Sequence, residues 1–244
     1  MTRILVIARR ELLAAAVSPV MWMTVALAWL LGSLAACFFA LPPSGGEVSQ
    51  FVFGTASWWL ALQILIVPIL SMRLLSEEKR AGTLETLMTA PVADHEVVLG
   101  KFLAANVIHA IGALILPLAT IPFVLYGKAP DPGQLAAAYL TALGIGAMLL
   151  AIGVFASSLT SAQVLAAFVT ILIEGALLFA PLLAPRWLPP EHLLAQALSR
   201  GDVFLHVQTG SLGILDLNHF TYQAVMAALF LLFAVRSLEV RKWK

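Results

Sequence analysis

Two sets of residues in this 244-residue chain have the types and spacing to do chemistry. The first is a charged run between two apolar stretches: Arg73, Glu77, Glu78, Lys79 and Arg80, then Gly82, Thr83 and Glu85. Leu84, Leu87 and Met88 fall at i, i+3 and i+4, which predicts one amphipathic helix from 77 to 88 that Pro91 stops. Such a short helix buries little area by itself, so it is expected to dock on the membrane interface or on a partner protein. A loop that served only to orient the chain would have no use for the glutamates. The second set is polar groups inside apolar runs: Gln63, Asn106, His109 and Glu174. A charged Glu174 near the middle of a span costs on the order of 2.5–3.5 kcal/mol, so something must compensate it. Two readings stand: a polar or proton-carrying group on a translocation path, or a protonated carboxyl hydrogen-bonded to a neighbouring helix. His109, one turn from Asn106, fits helix packing better than proton transfer.

Recognisable catalytic arrangements are missing. There is no G-x-S-x-G, no H-E-x-x-H and no pair of aspartates within a span, and the histidines near span ends (His95, His192, His206, His219) lack ligand spacing. Neither catalytic nor metal residues are expected. No phosphate loop is present either: the Gly-Lys pairs at Gly100-Lys101 and Gly127-Lys128 lack the upstream glycine and the following Ser or Thr. No nucleotide, metal or other cofactor is therefore expected on this chain, and no nucleic acid as a partner.

The elements that must hold these residues are apolar. Hydrophobic residues make up 61% of the chain and charged ones 11%, and the mean hydropathy is +0.97. That composition belongs to an integral membrane protein, with the lipid bilayer as its first partner. Residues 1–19 read as an amphipathic helix lying on the interface, ended by Ser18-Pro19. Six apolar stretches long enough to cross follow at about 20–41, 51–72, 97–126, 135–157, 162–184 and 218–238. They leave 73–96 as a charged connecting segment and 185–217 as a longer segment on the other side, expected to lie against the outer interface. The run after the first basic residues is long enough to span, which argues against a cleaved signal peptide. Cys37 reads as a small core residue. Trp58 and Trp59 suit the outer interface. Lys101 is near enough to the start of the third span to snorkel, Pro117 and Pro122 should bend that span, and Gly144, Gly146 and Gly153 should admit a close neighbour to the fourth.

The basic residues test this layout. With the N-terminus inside, eleven of the 14 Lys and Arg fall in inner segments and only Lys128, Arg186 and Arg200 outside. The expected fold is thus an all-α integral membrane protein, a single domain over 1–244 with six transmembrane helices, an interfacial N-terminal helix, a cytoplasmic helix between spans two and three, and both termini cytoplasmic.

Four stretches resemble a known family: ARRELLAAAVSP at 8–19, IVPILSMRLLSEEKRAGTLETLMTAPVADHEVVLGKF at 66–102, SSLTSAQVLAA at 157–167, and the run from 213 to 243 containing SLEVRKW. They are similar to the membrane subunit of type-2 ABC exporters, in the branch of the gliding-motility and nitrous-oxide-reductase-maturation permeases. The resemblance implies a permease that dimerises, with itself or a similar chain, and that couples to a separate ATP-binding cassette subunit carrying ATP and Mg. It implies ATPase-coupling contacts at Arg73, Glu77, Glu78, Arg80, Gly82, Thr83 and Glu85, together with Arg10 and Glu11 of the N-terminal helix. A bacterial inner-membrane location follows. The largely apolar spans, without multiple charges in the presumed path, favour a hydrophobic or lipid-linked substrate over an ion. Two rival readings remain: a complex that transmits force to, or assembles with, an extracytoplasmic partner, and an ion-coupled secondary transporter. The halves show no convincing internal match for the latter.

Overall fold

The computed structural model describes residues 3–40, 48–82, 93–125, 129–187, 189 and 191–241. The described residues form helices and no strands: α1 Arg3–Val17, α2 Pro19–Ala40, α3 Val48–Ser71, α4 Ser76–Ala81, α5 Asp94–Ala113, α6 Ile115–Leu118, α7 Ile121–Leu125, α8 Pro132–Leu159, α9 Gln163–Trp187, α10 Leu193–Arg200, α11 Val203–Ser211 and α12 Leu217–Arg241. Among the described residues, six stretches are long and apolar enough to cross a membrane: Pro19–Phe38, Val48–Ala81, Asp94–Leu125, Pro132–Leu159, Gln163–Leu183 and Leu217–Val240. In lipid the backbone must satisfy its own hydrogen bonds, and a helix does so within one segment. The protein is an all-α multi-pass membrane protein.

The centre of the bundle is α8, which packs on α3, α5, α9, α11 and α12. Its start follows from local chemistry: Asp131 accepts a hydrogen bond from Gly133 N–H, and Pro132 occupies the first turn, where its missing N–H costs nothing. Its body is small enough to be surrounded. A Cβ on Gly146 would stand 2.0 Å from the His109 ring, and one on Gly153 would stand 2.1 Å from Ser71 Oγ. Glycine at those two positions lets α5 and α3 close on α8, while Met148, Leu149, Leu150 and Ile152 fill the core between helices. The third span is broken into α5, α6 and α7, since Pro117 has no N–H to give Ala113 and its ring crowds that carbonyl.

Several expectations change. The stretch predicted as one helix over 77–88 ends at Ala81, where Gly82 takes φ 71° in the left-handed region and closes α4. Leu84, Leu87 and Met88 lie outside the described residues. Cys37 is exposed on α2; the lipid-facing side of a span is as apolar as its core, so hydropathy cannot separate them. Trp59, expected at an interface, is 3% exposed and lies in the core. The segment expected on the outer surface instead sends α11 into the bundle between α3 and α8, burying Val203, His206, Val207 and Gly210. Asp202 starts that helix by accepting from Phe204 N–H (3.0 Å) and Leu205 N–H (3.3 Å). On α12, His219 stacks on His206 with ring centroids 3.9 Å apart, a pairing that sequence spacing did not suggest.

Candidate coupling site

The charged end of the bundle holds α1, the α3–α4 turn and the start of α5. Between Ser71 and Ser76 the helix loosens into turns, which frees backbone N–H groups. Ser157, near the end of α8, takes them up: its Oγ accepts from Leu75 N–H and Ser76 N–H, each at 3.0 Å. Lys79 donates to the Ser158 carbonyl, which also accepts from Ser237 Oγ at 3.1 Å. Acidic Glu77 and Glu78 in the first turn and basic Lys79 and Arg80 in the last suit the dipole of this six-residue helix. So α4 is tied by its backbone to α8, and through Ser158 to α12.

Its second anchor is ionic. Lys101, two turns into α5, has a side chain only 3% exposed. Its Nζ donates to Glu11 Oε1 of α1 (3.1 Å) and to Glu78 Oε1 of α4 (2.9 Å). Arg10 Nη2 reaches the same two oxygens at 2.8 and 3.3 Å. Two cations and two carboxylates alternate, so the cluster carries no net charge and each buried charge meets an opposite one. Burial pushes the Glu11 carboxyl up, but the charge of Lys101 and hydrogen bonds from Arg10 and Lys101 outweigh it, and its pKa lies below the ordinary value. The hydrogen bond to Glu11, the largest influence on Arg10, raises the guanidinium further despite partial desolvation. Shape completes the junction: Ile7 of α1 sits over Gly100, where a Cβ would come within 2.7 Å of it, and Arg3 faces Glu96 at 3.8 Å.

The residues singled out from the sequence divide on this frame. Arg10, Glu11 and Glu78 enter the cluster. Glu77, Arg80 and Gly82 are exposed, and Arg73 is half-buried toward a cavity beside α1. Thr83 and Glu85 lie outside the described residues. Lys101, read as a snorkelling side chain, is instead buried between two glutamates. A lysine inside an apolar span signals a buried partner, but its partners are 90 and 23 positions away.

The four polar residues within spans do not form one site. Gln63 and His109 meet: the amide nitrogen stands 2.8 Å and the amide oxygen 3.1 Å from His109 Nε2, so the ring either accepts from one or donates to the other. The Trp59 ring lies beside them, 5.8 Å between centroids. Asn106 turns back to donate to the Phe102 carbonyl of its own helix (2.9 Å). Glu174 is completely buried on α9, and neither carboxyl oxygen has a hydrogen-bond partner among the described residues.

Against known proteins, the family described as ABC-2 family transporter protein matches residues 5–237. No curated protein matches the chain.

Proposed function

The chain belongs to the ABC-2 transporter family, and we propose that its α1–α4–α5 junction is where a separate ATP-binding subunit drives it. Membership makes it a membrane subunit of an ABC transporter with an ATP-binding cassette partner. The observation that carries the finer reading is Lys101, which ties α4 and α1 to the same point of the third span. A partner pushing on the exposed Glu77, Arg80 and Gly82 would move α4 as a rigid piece. Glu78 would pass the movement to α5 and α1, and Ser157 and Ser158 would pass it to α8. A displacement applied at one end of a packed bundle shifts the balance between two of its packings, which is how ATP binding would become a change of access.

In this reading the charged end is cytoplasmic, ATP and Mg are bound and hydrolysed on the partner, and two such chains, identical or similar, form the transporter. Its direction is export and its membrane the bacterial inner membrane. The spans hold few charges, which favours a hydrophobic or lipid-linked substrate over an ion. The test is co-purification of the chain with its ATP-binding subunit and measurement of ATPase stimulation. Glu77→Arg combined with Arg80→Glu should abolish recovery of the partner. Lys101→Met should leave recovery but uncouple ATPase activity from transport. Full coupling in Lys101→Met would overturn the proposed route.

A further inference from the structure

A cavity of about 270 Å³ lies beside the ionic cluster, walled by α1, α2, α3, α4 and α5. Its lining changes character along its length. At the charged end stand Arg73 and Glu77, with Glu11 beside them; deeper in come Met21, Ile69, Ala105 and Ile108. Ile108 is seven residues beyond Lys101, so the apolar part reaches about 10 Å into the spans at ~1.5 Å per residue. A second, much tighter cavity of about 10 Å³ shares Thr24, Leu70 and Ile108 with it and continues to His109. That continuation has room for about one water and no more.

Of the three charged residues lining this cavity, Glu11 is held in the ionic cluster by Arg10 and Lys101, whereas Arg73 and Glu77 stand outside it. Arg73 enters no ion pair among the described residues, and its Nε is buried without a hydrogen-bond partner. Glu77 is exposed and likewise outside the Arg10–Glu11–Glu78–Lys101 cluster. A guanidinium and a carboxylate four residues apart, above an apolar shaft within a membrane protein, match a molecule with the reverse order of charges and a hydrocarbon tail. Arginine suits phosphate oxygens, which it can engage through two N–H groups, and a carboxylate suits an ammonium.

We propose that this cavity binds one zwitterionic phospholipid of the ethanolamine type, its phosphate on Arg73, its ammonium on Glu77 and the start of one acyl chain against Met21, Ile69 and Ile108. The lipid is a resident of the junction, wedged between α1 and the spans, and is distinct from any transported molecule. Binding needs no ATP-binding subunit, so its test stands apart from that of the coupling route.

The purified chain, stripped of lipid in detergent, is titrated with dioleoyl-phosphatidylethanolamine, dioleoyl-phosphatidylglycerol or inorganic phosphate, and bound lipid is counted by native mass spectrometry. One ethanolamine lipid per chain is expected, held about tenfold more tightly than the glycerol lipid, as suits one additional charge-assisted contact. Arg73→Gln should weaken it about tenfold by the same reasoning. Glu77→Gln, an exposed change that the fold tolerates, should erase the preference between the two lipids. Ala105→Leu should block the shaft and exclude both, while Arg236→Gln, in an exposed pair with Glu239, should change nothing. Retention at wild-type strength by Arg73→Gln and Ala105→Leu would overturn the proposal. Equal binding of both lipids by the wild type would also overturn it, as would displacement of the lipid by inorganic phosphate.

Discussion

The junction around Lys101 and the middle of α9 around Glu174 each bury an ionisable group, and they do it in opposite ways. Lys101 meets two carboxylates within 3.1 Å and a neighbouring guanidinium balances the cluster. Glu174 meets no hydrogen-bond partner among the described residues. The first arrangement joins three elements, and removing one member leaves the others uncompensated in a poorly solvated place. The second joins nothing by hydrogen bonds, so the fold does not depend on its polarity. A buried charge therefore marks a mechanical joint only when its partners sit on other elements.

The largest test of that contrast is Lys101→Met. It strands Glu11 and Glu78 beside each other with only Arg10 between them, and stability should fall by about 3–5 kcal/mol, the usual cost of breaking a buried pair. Chemical denaturation in detergent measures it, and adding Glu78→Gln to the variant should recover part of the loss. At Glu174 the sign reverses. Replacing the carboxyl with leucine removes an unsatisfied buried polar group, and stability should rise by about 1–3 kcal/mol. A loss of similar size would show that Glu174 has a partner that the contrast denies it. The Gln63–His109 pair sharpens the comparison as a third kind, two polar side chains from different spans that meet in a hydrogen bond. Gly146→Ala would drive a methyl group into the His109 ring and should cost about 1–3 kcal/mol through overpacking; a neutral result would mean the ring has free space to move into.

Smaller effects belong to the exposed edge of the cluster. Arg10 has a side chain 57% exposed, so solvent screens its pairs, and Arg10→Gln should cost only about 0.2–1 kcal/mol. Its effect should shrink as salt is added, whereas that of Lys101→Met should persist. The Glu11 carboxyl adds a pH dependence. Its pKa in the fold lies below the ordinary 4.5, so the unfolded chain takes up the proton first as pH falls. The stabilisation is complete above about 4.5 and is lost as pH drops through the lowered folded value. The stability difference between wild type and Glu11→Gln should accordingly stay level from pH 7 to about 5 and close at lower pH.

Much of the layout was legible in the sequence. Apolar runs of span length are set by composition alone, because crossing a bilayer is a one-dimensional demand of about 20 residues in a row. The same reasoning located the charged segment between the second and third spans, and the stretches around 8–19 and 66–102 carried a family resemblance that the match over 5–237 confirms at the level of the ABC-2 family. The glycines of the fourth span were also readable, since small residues in a span matter only where another helix approaches; the structure supplies the neighbours, His109 and Ser71.

Other features were decided only when the chain folded. Lys101 looks, in sequence, like any lysine near a membrane surface; it becomes a buried joint because α1 folds back over α5 and brings Glu11 to it from 90 positions away. The four polar residues of the spans looked like one group, yet helix rotation brings Gln63 and His109 together, turns Asn106 onto its own backbone and leaves Glu174 without a hydrogen-bond partner among the described residues. The α11 segment is too short to read as membrane-buried, but a groove between α3 and α8 accepts it, with Gly210 giving way to Thr141. By itself, the sequence determined which segments are long and apolar enough to cross a membrane, since transfer from water depends on each segment's own atoms. Which side chains meet inside depended on how the helices rotate and pack, a property of the whole bundle that only the tertiary structure decided.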